Sequence, residues 1–181
     1  EQTDLLQALY GRNGESPIPV IAATSPTNCF DAAYSACKIA LEHMTPVILL
    51  TDAFIADGSA AWRLPNIEEY PTIVPPYVTP EMQEGWSPYK RNPENDVRYW
   101  AVPGTPGFTH RIGGLEKSAA TGAISNDPAN HHSMVETRAR KVEKIAFDIP
   151  ELQVEGCEDA DLLIVGFGGT YGHLCEAMQQ M

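Results

Sequence analysis

The first third of the chain alternates between amphipathic helical stretches and short apolar runs. Thr3–Tyr10 has a helical pattern that breaks at the turn 11–14, and the strand-like run Ile18–Ala23 follows. Ser25 and Pro26 then form a helix start, with a hydroxyl cap and a proline in the first turn. Beyond them, apolar residues recur every three or four positions and predict one apolar helix face made of Phe30, Ala33, Tyr34, Cys37, Leu41 and Met44.

A continuous apolar run, Val47–Thr51, comes after this helix. Such a run is typical of a strand that is buried on both faces, and the order strand, helix, strand favours a parallel sheet with crossover helices. We therefore predict an α/β fold, with a first unit over residues 1–62.

The periodic pattern disappears after Trp62. Nine of the fifteen prolines lie between Pro65 and Pro106, among many aromatic residues. We interpret residues 63–126 as a long irregular arm, because a segment of this length without regular structure is normally functional or disordered. Two interpretations stay open: the arm covers its own domain, or it contacts another subunit through Trp100 and Phe108.

The last third returns to regular patterns. Asp127 and Pro128 open a predicted surface helix with the apolar side Met134, Val135, Val142 and Ile145, and with Lys141, Glu143 and Lys144 on its charged side. An acidic linker completes a predicted segment over residues 127–160. The run Asp161–Gly172 then predicts a strand, a glycine-rich turn and a new helix, so residues 161–181 are expected to begin a second α/β domain.

The composition excludes several classes of partner. The 181 residues are 43% apolar, which is typical of a globular protein, and 24 acidic against 12 basic residues give a formal charge of -12. Such a charge leaves no basic field for nucleic acid or anionic membranes. The apolar runs are far shorter than a membrane helix requires, so we expect a cytoplasmic protein.

Neither the cysteines nor the histidines predict a metal site. The four cysteines are widely spaced and never form a Cys-x-x-Cys pair, and the adjacent His131 and His132 point about 100° apart around a helix. Gly166–Gly172 suggests a dinucleotide-binding turn, but Tyr171 stands where the third glycine of G-x-G-x-x-G belongs. A tight strand-to-helix turn is the favoured interpretation, with nucleotide binding as the alternative.

Three polar residues are candidates for contact with a substrate or cofactor, and no residue is predicted to be catalytic. Ser25 and Asp52 follow the two predicted strands, whose carboxyl ends form the ligand-binding edge of a parallel sheet. Arg12, in the turn 11–15, could bind a carboxylate or phosphate. The competing interpretations are an exposed turn arginine for Arg12 and, for Asp52, a carboxylate that accepts bonds from nearby amides.

Several segments of the chain match, in order, a known family. They are Glu1–Gly11, Thr45–Phe54, Pro103–Gly107 with His110–Glu116, and Asn126–His131 with Arg138–Val142. Together they resemble the alpha subunit of the 2-oxoacid:ferredoxin oxidoreductases, most of all the 2-oxoglutarate branch. The resemblance covers essentially the whole sequence.

The resemblance implies an oxygen-sensitive enzyme of anaerobic metabolism that uses thiamine diphosphate. It would release CO2 from 2-oxoglutarate, pass electrons through an iron–sulfur cluster to ferredoxin, and transfer the acyl group to coenzyme A, giving succinyl-CoA. Residues 1–62 would be the rear part of the pyrimidine-binding domain, and 161–181 the start of a domain like the transketolase C-terminal domain. Most of the diphosphate and Mg2+ site and the [4Fe-4S] cluster would belong to a partner beta subunit, with gamma and delta subunits as further candidates.

Three features of the family would lie before Glu1: a Tyr-Pro-Ile-Thr-Pro motif, the glutamate that activates the aminopyrimidine, and a basic residue. We therefore expect the sequence to be an internal piece of a longer polypeptide, which alone is inactive and binds no cofactor. Two other hypotheses remain: a non-catalytic module for subunit assembly, or a nucleotide-binding α/β domain.

Overall fold

The computed structural model describes residues 2–157 and 159–180. The outer limits of the predicted domains, Glu1 and Met181, lie outside the described residues. The helices are α1 (Gln2–Tyr10), α2 (Cys29–Glu42), α3 (Ala53–Asp57), α4 (Pro128–Lys144) and α5 (Tyr171–Gln180), and the strands are β1 (Val20–Ala22) and β2 (Ile48–Leu50). Short 3-10 turns occupy Pro26–Asn28, Ile67–Glu69, Pro80–Met82, Ile145–Asp148 and Gly168–Thr170.

The predicted parallel β–α–β unit is confirmed. β1 and β2 pair in parallel, with Val20 opposite Ile48 and Ala22 opposite Leu50, and α2 is the crossover helix. The core between them consists of buried Ala23, Ala32 and Ile55, against which Ile21, Cys29 and Leu49 pack. The small alanine side chains allow α2 to lie close to the sheet.

The predicted apolar face of α2 is wrong in part. Cys37 is exposed and Leu41 is 41% exposed, whereas Cys29 and Ala32 pack in the core beside the sheet. The large residues of the predicted face instead meet the beginning of the arm. The ring of Tyr70 packs edge-on against Phe30 and Tyr34, with centroids 5.5 and 4.7 Å apart. The large apolar residues of the predicted face, Phe30 and Tyr34, therefore contact the arm rather than the sheet.

Hydrogen bonds fasten the arm along the rest of α2. The indole Nε1 of Trp100 donates to the carbonyl of Leu41 at 2.8 Å, and the amide of Val74 donates to the carboxylate of Glu42 at 3.0 Å. The Tyr34 hydroxyl also donates to the carbonyl of Pro71. Residues 70–74 and Trp100 therefore cover their own domain.

Two consecutive turns shape the proline- and glycine-rich run after Trp100. The amide of Thr105 donates to Val102 at 3.0 Å across Pro103 and Gly104, and the amide of Phe108 donates to Thr105 at 3.3 Å. Gly104 and Gly107 have φ values of 95° and 83°, which favour glycine after proline in such turns. These turns bring Phe108 inward, where it is 5% exposed and packs on Trp86.

The carboxylate of Asp96 joins the arm to α4. It accepts bonds of 2.8 and 3.1 Å from the guanidinium of Arg140 and lies 2.8 Å from the ammonium of Lys144. The bond from Arg140 is the main reason that the pKa of Asp96 is lowered to about 2. Its backbone has a φ of 59°, and Arg91 donates to its carbonyl at 2.7 Å. Both the side chain and the main chain of Asp96 are therefore fixed by cations.

The helix α4 begins as predicted, with the Asp127 carboxylate accepting from the amide of Ala129 at 3.0 Å. The prediction that Lys141 lies on a charged outer side is wrong. Its side chain is buried, and its ammonium donates to the carbonyl of Met44 at 2.8 Å. Burial lowers the pKa of Lys141 to about 8. A long apolar stem with one charged end can fill such a position, which helical periodicity alone does not show.

The strand predicted after Asp161 does not form. Residues 162–167 lack strand pairing and leave Leu162, Leu163 and Val165 exposed, although the helix α5 follows as expected. A strand needs a hydrogen-bonded neighbour, and the described residues offer none to this segment. No helix among residues 2–157 and 159–180 combines the length and apolar character that crossing a membrane requires.

We predict that Asp96→Asn loosens the contact between the arm and α4. The difference between the ordinary pKa of 3.8 and the value of about 2 corresponds to roughly 2 kcal/mol. Asparagine tolerates a positive φ, so the change mainly removes charge. In the full-length protein, amide hydrogen exchange in residues 91–98 and α4 should become roughly 30-fold faster at neutral pH.

The pH dependence has a defined sign. Because folding lowers the pKa of Asp96, its stabilisation is present above about pH 4 and disappears as the pH falls toward about 2. The difference in amide exchange rate between Asp96→Asn and the unchanged protein should therefore shrink as the pH falls over that range. Glu94→Gln, an exposed change in the same loop, is the control. Equal exchange rates in Asp96→Asn and the unchanged protein at neutral pH would contradict this role of Asp96.

Candidate functional site

A cavity of about 400 Å³ lies at the carboxyl ends of the two strands. The ends of β1 and β2 form one wall, and the start of α1 and the glycine-rich turn before α5 form the others. Its lining comprises Gln2, Asp4, Ala22, Ala23, Leu49, Leu50, Thr51, Asp52, Phe167, Gly168, Gly169 and Thr170. This is the edge at which a parallel sheet ordinarily binds ligands.

Asp52 connects the strand edge to the glycine-rich turn. One carboxylate oxygen caps α3 by accepting from the amide of Ile55 at 2.8 Å. The other oxygen lies so close to Gly169 that any Cβ at this position would overlap it. The preceding Gly168 has a φ of 62°, a conformation that also favours glycine. The two glycines therefore allow the turn to pack directly on the end of β2.

The lining of the cavity favours an uncharged or cationic ring over a diphosphate. Leu49 and Phe167 supply apolar surface, Asp4 and Asp52 supply negative charge, and the described residues that line the cavity include no lysine or arginine. A diphosphate needs cationic partners, whereas the rings of thiamine are neutral or positive. Throughout the described ranges, no group of three or more His, Cys, Asp and Glu could hold a metal ion. The residues present thus fit the ring portion of thiamine diphosphate and not its magnesium diphosphate.

Ser25 has the structural role of a cap. Its hydroxyl oxygen accepts from the amide of Asn28 at 3.1 Å, and the Asn28 side chain in turn accepts from the amide of Thr24. Although Ser25 follows β1, it does not line the cavity. Its predicted contact with a substrate or cofactor stays a prediction.

Arg12 is turned back onto its own segment. Its Nε donates to the carbonyl of Ala8 at 2.9 Å, and its Nη1 donates to the Ser16 hydroxyl at 3.2 Å. The cavity is lined by Asp52 but by neither Arg12 nor Ser25, so the structure does not assemble the three predicted residues around one space. A ligand role for Arg12 is likewise still a prediction.

Trp100 and Phe108 both have partners within the chain. Trp100 is half-buried and bonds to α2, whereas Phe108 is enclosed by the arm near Trp86. Their predicted role as subunit-interface residues is untested.

Sequence reasoning missed that Gly168, Gly169 and Phe167 share a cavity with the strand edge, because more than a hundred residues separate them from β2. One feature of the sequence could have indicated this contact. The glycine pair Gly168–Gly169 follows an apolar run, and such a pair often allows close packing. A second cavity, of about 360 Å³, lies between α2 and the start of the arm and includes Phe30, Trp62 and Tyr70. No motif marks these three residues as neighbours.

Comparisons with known proteins agree with the resemblance. Residues 1–127 match the family model described as pyruvate flavodoxin/ferredoxin oxidoreductase, thiamine diP-bdg. The 2-oxoglutarate oxidoreductase subunit KorA of Mycobacterium tuberculosis is 48% identical over 99% of this chain and 27% of its own length. The alpha subunit of 2-oxoacid:ferredoxin oxidoreductase 1 from Aeropyrum pernix is 29% identical over 99% of this chain and 28% of its own.

A solved structure has the same fold. The 2-oxoglutarate:ferredoxin oxidoreductase from Magnetococcus marinus, with 2-oxoglutarate, coenzyme A and succinyl-CoA bound, matches with a TM-score of 0.86 at 30% identity. The match covers 98% of this chain and 30% of that one. The chain therefore spans less than a third of the length of these relatives. The family match over residues 1–127 shows that the chain belongs to the thiamine-diphosphate-binding family of pyruvate flavodoxin/ferredoxin oxidoreductases.

Proposed function

We propose that the chain is part of the alpha subunit of a thiamine-diphosphate-dependent 2-oxoglutarate:ferredoxin oxidoreductase. The whole enzyme would convert 2-oxoglutarate and coenzyme A to succinyl-CoA and CO2 while it reduces ferredoxin. The observation that carries this proposal is the 48% identity to the Mycobacterium tuberculosis subunit, which extends over 99% of the chain. The fold and the cavity at the strand edge support it independently of that identity.

In this proposal, residues 1–62 form the rear part of the pyrimidine-binding domain and 63–126 form the arm. Residues 127–160 comprise α4 and the acidic linker, and 161–181 begin the next α/β domain. The hydrogen-bonded pair β1 and β2 supports the first assignment. The change from the Asp127 cap to a long helix supports the boundary after the arm.

When bound, thiamine diphosphate would supply the nucleophilic carbon and the electron sink that decarboxylation of a 2-oxoacid needs. The chain's own contribution would be to enclose the ring portion. Leu49 and Phe167 would exclude water from one side, while the negative Asp52 would favour a ring that carries positive charge. Since Asp52 is already held by α3, it would act as a fixed electrostatic group rather than as a mobile acid or base.

The partner beta subunit would supply the magnesium diphosphate site and the [4Fe-4S] cluster, with gamma and delta subunits as further candidates. Ferredoxin would bind the assembled complex and accept its electrons in the cytoplasm. The acidic lining of the cavity supports this division, because it repels the diphosphate group that the partner must then bind.

The alternative of nucleotide binding at Gly166–Gly172 finds less support. A phosphate there would need to approach the amides at the start of α5, yet the carboxylate of Asp52 lies against Gly169. Two anions at this distance would repel each other strongly in a partly enclosed site.

We expect the full-length protein, combined with its partner subunit under anaerobic conditions, to reduce ferredoxin in a reaction that requires both 2-oxoglutarate and coenzyme A. Initial rates should be measured with 2-oxoglutarate and with pyruvate at equal concentrations. A higher kcat/KM for 2-oxoglutarate supports the proposed substrate. Turnover of pyruvate alone would overturn the substrate assignment, and no activity with any 2-oxoacid would overturn the proposed reaction.

We also predict that Gly169→Ala impairs binding of thiamine diphosphate. The added Cβ must displace the carboxylate of Asp52. This displacement breaks the hydrogen bond from the amide of Ile55 that caps α3, and it changes the shape of the cavity. The apparent Kd for thiamine diphosphate should rise about tenfold, as a loss of about 1.4 kcal/mol implies.

Gly172→Ala is the matched control for this experiment. A Cβ at Gly172 meets no atom within 4 Å, and alanine favours the helix α5 in which it lies. The affinity of each variant for thiamine diphosphate should be measured by titrating the cofactor into the assembled apo-enzyme. If the two variants bind thiamine diphosphate equally well, the contact between Asp52 and Gly169 has no part in the cofactor site.

A further inference from the structure

The second cavity is walled by aromatic rings. It opens between α2 and the start of the arm and has a volume of about 360 Å³. The ring of Phe30 stands between those of Trp62 and Tyr70, with centroid separations of 6.2 and 5.5 Å and interplanar angles of 44° and 80°. The three rings pack on one another at different angles and all line this cavity, which we name the aromatic cage.

Carboxylates border the same space. Asp31 accepts a hydrogen bond from the Tyr70 hydroxyl through one oxygen, and Glu69 accepts from the amide group of Asn66 at 3.2 Å. Each carboxylate keeps its other oxygen without a hydrogen bond to any described residue. Arg63 is the basic residue of the lining, so the formal charge around the cage is -1. Ring faces and excess negative charge both attract a cation.

The surface beside the cage is apolar and exposed. Trp62 is 48% exposed, and the neighbouring Leu64 and Ile67 are 79% and 65% exposed. Isolated apolar residues on a surface are common, but an exposed leucine that lines one cavity with a tryptophan and a tyrosine resembles the centre of a protein interface. Leu64 lines the cage and Ile67 does not, so a small ligand in the cage would leave Ile67 in water.

We propose that the aromatic cage, with the apolar residues 64 and 67, binds a partner subunit by receiving an arginine or lysine side chain of that subunit. The occupant is identified by charge complementarity: the cage is acidic and aromatic, and its surroundings are apolar. This inference rests on the proposed function insofar as that function requires a second subunit. It differs from the hypothesis of an interface through Trp100 and Phe108, because Trp62 is 48% exposed whereas Phe108 is only 5% exposed.

The first test compares two smaller apolar side chains at position 62, one with an aromatic ring and one without. Trp62→Leu keeps an apolar side chain but removes the π face, whereas Trp62→Phe keeps the face. In the full-length protein, we expect Trp62→Leu to raise the Kd for the partner subunit about fivefold and Trp62→Phe to stay within about twofold. Equal Kd values for the two variants would overturn the cation–π contact.

The second test changes the charge with a matched neighbour. Glu69 lines the cage, whereas Glu68 is exposed and lies outside the lining. Glu69→Gln should weaken association by about threefold to fivefold at low salt and reduce its salt dependence, and Glu68→Gln should change it less. An equal effect of both substitutions would assign the result to the general negative field and overturn a specific site.

Activity separates this inference from the proposed function. Each variant should be assayed for 2-oxoglutarate-dependent ferredoxin reduction with the partner subunit at saturating concentration. Weakened association with recovered activity at saturation supports the proposal. Unchanged association with normal activity overturns the cage as an interface and leaves the proposed function intact, whereas absence of 2-oxoacid activity in the unchanged complex counts against the proposed function itself. Binding of tetramethylammonium in the cage without any effect on subunit association would assign the cavity to a small cation and overturn the proposal.

Discussion

The arm depends on side-chain contacts to a degree that the rest of the structure does not. Apart from two short 3-10 turns and isolated bridges, residues 63–126 contain no regular element in the described structure, so few repeating backbone bonds hold them. One attachment is the carboxylate of Asp96, which binds Arg140 and Lys144 of α4. Because α4 also reaches the end of α2 through Lys141, these few ionic and polar contacts place the arm and α4 relative to the β–α–β unit. The aromatic contacts along α2 then complete the attachment.

The same packing separates two kinds of surface. The arm covers Tyr34 and the carbonyl end of α2, and it encloses Phe108 beside Trp86. At its beginning, however, Trp62 and Leu64 stay exposed around an acidic space. An arm of this kind can therefore protect its own domain and offer a recognition surface at once, since its two sides carry different residues. The composition left open whether the arm covers its own domain or contacts another subunit, and one segment can do both.

The chemistry of the strand edge limits which part of a cofactor it can bind. Its lining is apolar and acidic, which suits a ring and opposes a diphosphate. Close packing of Gly169 on Asp52 also makes the shape of this edge sensitive to a single methyl group. In the proposed enzyme, the alpha subunit would thus bind the ring portion, and the charged end of the cofactor would require cations from elsewhere.

Local signals in the sequence determined the parallel β–α–β unit, the Ser25 and Asp127 caps and the irregular arm, because propensity, capping and buried apolar runs act over a few neighbouring residues. The resemblance of several ordered segments likewise indicated the family that the comparisons show. Tertiary structure decided the rest. It buried Lys141 against Met44 and left the 162–167 segment unpaired. It also brought Gly169 to Asp52, and Trp62 to Phe30. Each of these outcomes depends on contacts between residues far apart in the chain, which no local period of hydrophobic and polar positions can encode.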